Sequence, residues 1–165
     1  MNFNAREVFD IGTQIEVNGK AFYEAAAKKT AETSMKEFFL ELAAWENTHI
    51  KLFGELRDAL PKAAGNTPLF DPNDEAALYL QATADSHVFV RNKDMVGLVA
   101  GCKGPLDIID LAMTFEKDSV VYYTTMRKVV AKNLGQDKVD RLIDEEIKHI
   151  SLLSQRRMKL LSRPA

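Results

Sequence analysis

Six residues of this sequence have types and spacings that could do chemistry: Glu16, Glu46, His49, Glu116, Glu146 and His149. Glu46 and His49 lie in "LAAWENTHIKLF", Glu146 and His149 in "RLIDEEIKHISLL", and in both a Glu is followed three residues later by a His inside a largely apolar run. Positions i and i+3 share a helix face, so each pair offers one oxygen and one nitrogen donor in the same direction. Each pair also follows a further Glu by the same interval, 30 residues from Glu16 to Glu46 and 30 from Glu116 to Glu146. The two halves align at an offset of 100 residues without a gap. "IGTQIEVNGKAFYEA" from Ile11 matches "LAMTFEKDSVVYYTT" from Leu111, and "ELAAWENTHIKLF" from Glu41 matches "RLIDEEIKHISLL" from Arg141.

Four carboxylates on core-facing stripes would each be destabilising by several kcal/mol if left charged and unpaired. Neither Lys nor Arg occupies the neighbouring inward positions, so the compensating charge must come from elsewhere. Two divalent cations carry the four positive charges required. The mixed oxygen and nitrogen donors suit iron or manganese, and also zinc, and carry too much nitrogen for calcium.

The elements that must position these residues are helical. Phe9, Gly12, Glu16, Gly19, Tyr23 and Ala26 fall at steps of three and four and predict a helix from about Asn4 to Thr30. A second, with a cap at Thr33 or Ser34, carries Phe39, Leu42, Glu46, His49, Phe53, Leu56 and Leu60 on one face and stops at Pro61. "KAAGNTPLFDPND" reads as a surface connection, with a shorter helix starting within Asp71 to Asp74 and running to about Val90. After a break at "GCKGP", Pro105 suits the first turn of a helix striped by Ile109, Ala112, Glu116, Tyr123, Met126 and Val130. "NLGQDK" then links tightly into a last helix striped by Val139, Leu142, Glu146, His149 and Leu153. No sustained period-two alternation competes with this pattern. The expectation is an all-α fold: an antiparallel four-helix bundle whose paired halves are joined by a long crossover containing a short helix, residues 1–165 forming one domain.

Composition excludes several classes. At 46% hydrophobic and 28% charged residues, with 22 basic and 24 acidic groups interleaved, the chain has no basic footprint for nucleic acid or a membrane surface. A single cysteine, Cys102, allows neither an internal disulfide nor a paired-cysteine metal site, and it reads as an incidental thiol. The charged start "MNFNAREVFDIG" lacks the apolar stretch of a signal peptide, and no apolar run approaches the roughly 20 residues of a membrane span. A cytoplasmic location is expected.

At Glu16, "ENTH", Glu116 and "EIKH" the chain resembles the ferritin-like di-iron carboxylate proteins, and among them the rubrerythrin-like branch, over nearly its whole length. The resemblance implies two iron ions, cycling between Fe2+ and Fe3+, bridged by Glu46 and Glu146. Glu16 with His49 and Glu116 with His149 would be the terminal ligands. It further implies reaction with hydrogen peroxide or dioxygen, and often a homodimer. Departures are specific. Where rubrerythrins carry an additional Glu three residues after the third-helix ligand this chain has Ser119, so His49 is expected to stay bound. Their four-cysteine rubredoxin domain has no counterpart, so electrons must come from an external donor protein. Asn47 stands where bacterioferritin has its haem-ligating methionine, and the segment between Glu46 and Glu116 is too long for a cage-forming ferritin.

Three functional readings follow: a di-iron enzyme that reduces peroxide, a protein that holds or buffers iron, and a bundle whose metal serves assembly. Tyr23 and Tyr123, seven residues after Glu16 and Glu116, either hydrogen-bond to ligand carboxylates or simply pack in the core. Trp45 is expected to pack against the crossover or a second subunit, and His87 to have a surface or packing role. The basic "SQRRMK" suits the negative end of a helix dipole.

Overall fold

The computed structural model describes residues 4–62, 75–86, 94–130 and 132–162. Among these, six α-helices follow one another: α1 Ala5–Lys29, α2 Thr33–Asp58, α3 Glu75–Ser86, α4 Met95–Gly101, α5 Pro105–Val129 and α6 Gln136–Leu161, with a 3-10 turn at Lys132–Leu134. Helix α1 packs along α2 and α5 along α6, and these two hairpins close into the expected bundle through contacts of α1 with α5 and of α2 with α6. Tyr23 on α1 reaches Glu116 on α5 while Tyr123 on α5 reaches Glu16 on α1, a reciprocity that fixes α1 and α5 as antiparallel.

Local chemistry explains most boundaries. Asn4 caps α1 by accepting from the Glu7 backbone N–H at 3.0 Å, and the Glu7 carboxylate accepts from the Asn4 N–H at 2.9 Å. Helix α2 begins differently from expectation: Glu32 is its N-cap and makes no capping hydrogen bond, while the Ser34 hydroxyl donates to the Glu32 carboxylate at 2.7 Å. Pro105 occupies the first turn of α5, where its missing N–H leaves no partner unsatisfied. Gly135 opens α6 at φ 95°, a left-handed conformation, and a Cβ there would come within 2.2 Å of Leu56 Cδ2. The link can turn tightly against α2 only with glycine.

As expected, the crossover contains a short helix, α3, which packs on α5, although its anticipated start within Asp71 to Asp74 and end near Val90, like His87, lie outside the described residues. It also contains α4, which was not anticipated. Only Met95 and Val99, one turn apart, are buried in this seven-residue helix, too few positions to reveal a period. Asp94 caps it by accepting from Gly97 N–H at 2.8 Å, and Lys29 ties it to α1 by donating to the carbonyls of Val99, Ala100 and Cys102 at 2.9, 2.9 and 2.6 Å.

Every residue of the four predicted stripes is buried. Along the bundle axis the acidic layer lies between two aromatic clusters. Phe9, Phe53 and Tyr123 form one, with Phe9–Phe53 and Phe53–Tyr123 ring centres 6.4 and 5.5 Å apart. On the other side Phe22 meets Phe115 edge-on at 4.9 Å and Tyr23 stacks on Phe39 at 6.4 Å. Each fully buried ring contributes about 1.5–3 kcal/mol of apolar burial, and together they keep water from the acids. Gly12 is what lets Phe53 fit, since a Cβ at that position would sit 2.7 Å from two of its ring carbons. Gly12→Ala is therefore expected to lower stability by about 1–3 kcal/mol through overpacking. Gly54→Ala, where an added methyl meets nothing within 4 Å, should raise it by about 0.5–1 kcal/mol through helix propensity. Denaturant midpoints of the two variants moving in the same direction would contradict this packing.

Candidate metal centre

Each of the four long helices brings one or two donors to the same level. Glu16 comes from α1, Glu46 and His49 from α2, Glu116 from α5, and Glu146 and His149 from α6, and all six residues are between 1% and 3% exposed. They fall into two four-residue groups, Glu16, Glu46, His49 and Glu146 in one and Glu46, Glu116, Glu146 and His149 in the other, with one ligand atom per residue all within 4.8 Å of one another. Glu46 and Glu146 belong to both groups.

Nδ1 of each histidine faces the carboxylates. His49 Nδ1 lies 3.2 Å from Glu16 Oε2, 3.7 Å from Glu46 Oε2 and 3.1 Å from Glu146 Oε1. His149 Nδ1 lies 3.1 Å from Glu146 Oε2 and 3.6 Å from Glu116 Oε2. Glu146 thus turns one oxygen to each histidine. Its Oε1 is buried and makes no well-aligned hydrogen bond although His49 Nδ1 lies 3.1 Å away, which leaves an inward-facing acceptor poorly satisfied. Among the described residues no Lys or Arg is buried. A poorly satisfied inward acceptor in a layer of four acids, two imidazoles and no fixed cation fits a pair of divalent metal ions.

The tyrosines cross between the halves. The Tyr23 hydroxyl donates to Glu116 and the Tyr123 hydroxyl to Glu16, so each bonds the unshared acid of the opposite hairpin rather than the one on its own helix. Burial, then the charge of the nearby glutamates, pushes both phenols up, which keeps them protonated as donors. Tyr122 donates to the Val8 carbonyl at 3.1 Å and takes no part in the acid layer. Ser119 is buried.

Two further contacts were not foreseen from sequence. Glu145, next to a predicted ligand, accepts from His49 Nε2 at 2.9 Å. Trp45, expected to pack on the crossover or a partner, instead stacks on His149, with ring centres 4.9 Å apart and an interplanar angle of 3°. Together with Thr48 and Lys148 these residues line a pocket of about 260 Å³ that opens onto the outer edges of both histidines.

Protons redistribute to keep the metal-free layer near neutrality. Burial, reinforced by Glu16, raises Glu46 well above the carboxylate range, and burial with the Glu116 charge raises Glu146 to about 8. Burial opposes ionisation of Glu16 and Glu116 too. It is outweighed at Glu16 by Glu46, His49 and Tyr123 and at Glu116 by Glu146, His149 and Tyr23, so both stay below the usual value. The histidines rise against burial, His49 far above the imidazole range through Glu16 and Glu146, and His149 to about 9 through Glu116 and Glu146. Two imidazoliums then balance two carboxylates while Glu46 and Glu146 hold their protons.

Glu146 and His149 bind protons more tightly in the folded chain than in the unfolded one. The stability they give the metal-free protein is complete below their unfolded values and is lost as pH rises through about 8 and about 9. A metal bound there would replace those protons and remove the loss. Between pH 6.5 and pH 9 the Tm of metal-free protein should fall, and the gap to the metal-loaded form should widen. A gap that narrows over this range would contradict the proton arrangement.

No protein-family profile and no curated protein sequence matches the chain. Among solved structures, a Thermotoga maritima protein assigned to the ferritin-like diiron-carboxylate class superposes with a TM-score of 0.69, covering 96% of this chain and 97% of that one at 20% identity. None of the described helices is long and apolar enough to cross a membrane. The chain has the ferritin-like helical-bundle fold, and at the centre of its bundle lie two overlapping groups of buried carboxylates and histidines that could hold metal ions.

Proposed function

We propose that the chain is a non-haem di-iron redox protein of rubrerythrin-like type that reduces hydrogen peroxide, or reacts with dioxygen, using electrons from an external donor protein. The observation that carries this reading is the sharing of Glu46 and Glu146 between two four-donor groups, an arrangement suited to two adjacent ions. Two Fe(II) ions held there would supply the two electrons that, with two protons, convert one hydrogen peroxide into two waters.

The protein's own residues do the rest. Glu16, Glu116 and the two Nδ1 atoms would bind at the ends of the site, and the two tyrosine hydroxyls hold Glu16 and Glu116 in place. Aromatic clusters above and below keep bulk water out, and the pocket beside Trp45 and Glu145 gives a molecule the size of peroxide an approach to the histidine side. Cys102 alone cannot form a paired-cysteine redox centre, and this reading takes the electrons from a donor protein.

Anaerobic loading with Fe(II) followed by stopped-flow mixing with peroxide and, separately, dioxygen tests the activity. An iron-oxidation transient with at least one oxidant is expected, faster with peroxide, and absence of a transient with either would favour an iron-holding protein instead. Metal analysis should find about two ions per chain, falling close to zero in Glu46→Ala because one side chain serves both groups. Retention of both ions by that variant would contradict the shared role, and manganese or zinc in place of iron would redirect the chemistry.

A further inference from the structure

The internal repeat makes the six donors of the centre equivalent in pairs, but the residue preceding each shared glutamate breaks that equivalence. At the offset of 100 residues Trp45 aligns with Glu145. Both reach across the interface between hairpins to the histidine of the other half, Glu145 from α6 to His49 on α2 and Trp45 from α2 to His149 on α6. The same position is thus used for the same target with opposite chemistry.

At His49 the contact is a carboxylate. A carboxylate oxygen can only accept from the ring, so the 2.9 Å contact places a proton on Nε2 and leaves Nδ1, the nitrogen facing Glu16, Glu46 and Glu146, as the one that can present a lone pair inward. Such an acceptor fixes the ring's orientation and makes the imidazole a stronger donor to a metal. At His149 the contact is an indole face. Stacking at 3° restrains the plane of the ring, but an indole has no acceptor for Nε2–H and brings no negative charge. Among the described residues no side chain accepts a hydrogen bond from His149 Nε2.

We infer that the two metal positions are unequal, and that Glu145 is the positioning residue that makes the Glu16–His49 position the tighter one, the first to fill and the last to empty. Trp45 leaves the Glu116–His149 position the weaker. Because Glu145 is 48% exposed at the pocket mouth, its contribution can be removed without disturbing the core. This inference rests on the dinuclear reading above but does not require turnover.

The test is anaerobic titration with 57Fe(II), followed by Mössbauer spectroscopy, on wild type, Glu145→Gln and Trp45→Phe. Wild type should take up two ions in two unequal steps and show two quadrupole doublets that grow in succession. Glu145→Gln keeps the side chain's size but removes its charge, so it should weaken one ion by roughly 10–100-fold and alter one doublet while sparing the other. Trp45→Phe keeps a stacking ring and should match wild type. Two equal steps in wild type, or equal weakening of both ions in Glu145→Gln, would overturn the inequivalence alone. Uptake of fewer than two ions by wild type would overturn the dinuclear reading and this inference with it.

Discussion

Burying Glu16, Glu46, Glu116 and Glu146 in one layer of an otherwise apolar bundle places four acids where water cannot screen them. Without metal, the layer resolves the repulsion by keeping protons on Glu46 and Glu146 and charging both histidines. The two acids pushed up are also the two common to both donor groups. Where repulsion among carboxylates is greatest, a pair of divalent cations would be most strongly attracted. The acid layer opposes folding in its own right, and the surrounding structure must offset it.

That compensation comes from the aromatic clusters on either side and from hydrogen bonds that join the hairpins across the layer. Tyr23 and Tyr123 tie α1 to α5 through the acids themselves, and Tyr122 adds a bond to the Val8 carbonyl whose counterpart in the other half is lost because the matching residue is Phe22. Departures from the twofold pattern at Phe22 and Tyr122, and at Trp45 and Glu145, leave the six donors untouched and change what surrounds them. An internal duplication of this kind can keep the donors matched while the two ends of the site diverge through their neighbours.

Much of this was legible in the sequence because the helical period puts donors and apolar residues on the same face. Each predicted stripe is buried, and the equal intervals from Glu16 to Glu46 and from Glu116 to Glu146 set the donors at one depth. What was not legible depended on geometry between helices. Tyr23 lies on the same face as Glu16, yet because α1 and α5 are antiparallel, seven residues beyond Glu16 is level with Glu116. Trp45 and Glu145 sit one residue off the stripe, about 100° around the helix, where a side chain can face solvent, another subunit or the neighbouring hairpin with equal ease. Helix α4 escaped because Met95 and Val99 alone cannot define a period, and the start of α2 because its N-cap makes no side-chain hydrogen bond that a Thr or Ser would have signalled.

Anomalous diffraction at the iron edge, from crystals grown anaerobically with Fe(II), measures the central claim most directly. Two peaks about 3.5–4 Å apart are expected, both within bonding distance of Glu46 and Glu146 and each with one histidine Nδ1. A single peak, or iron bound away from these six residues, would contradict the claim.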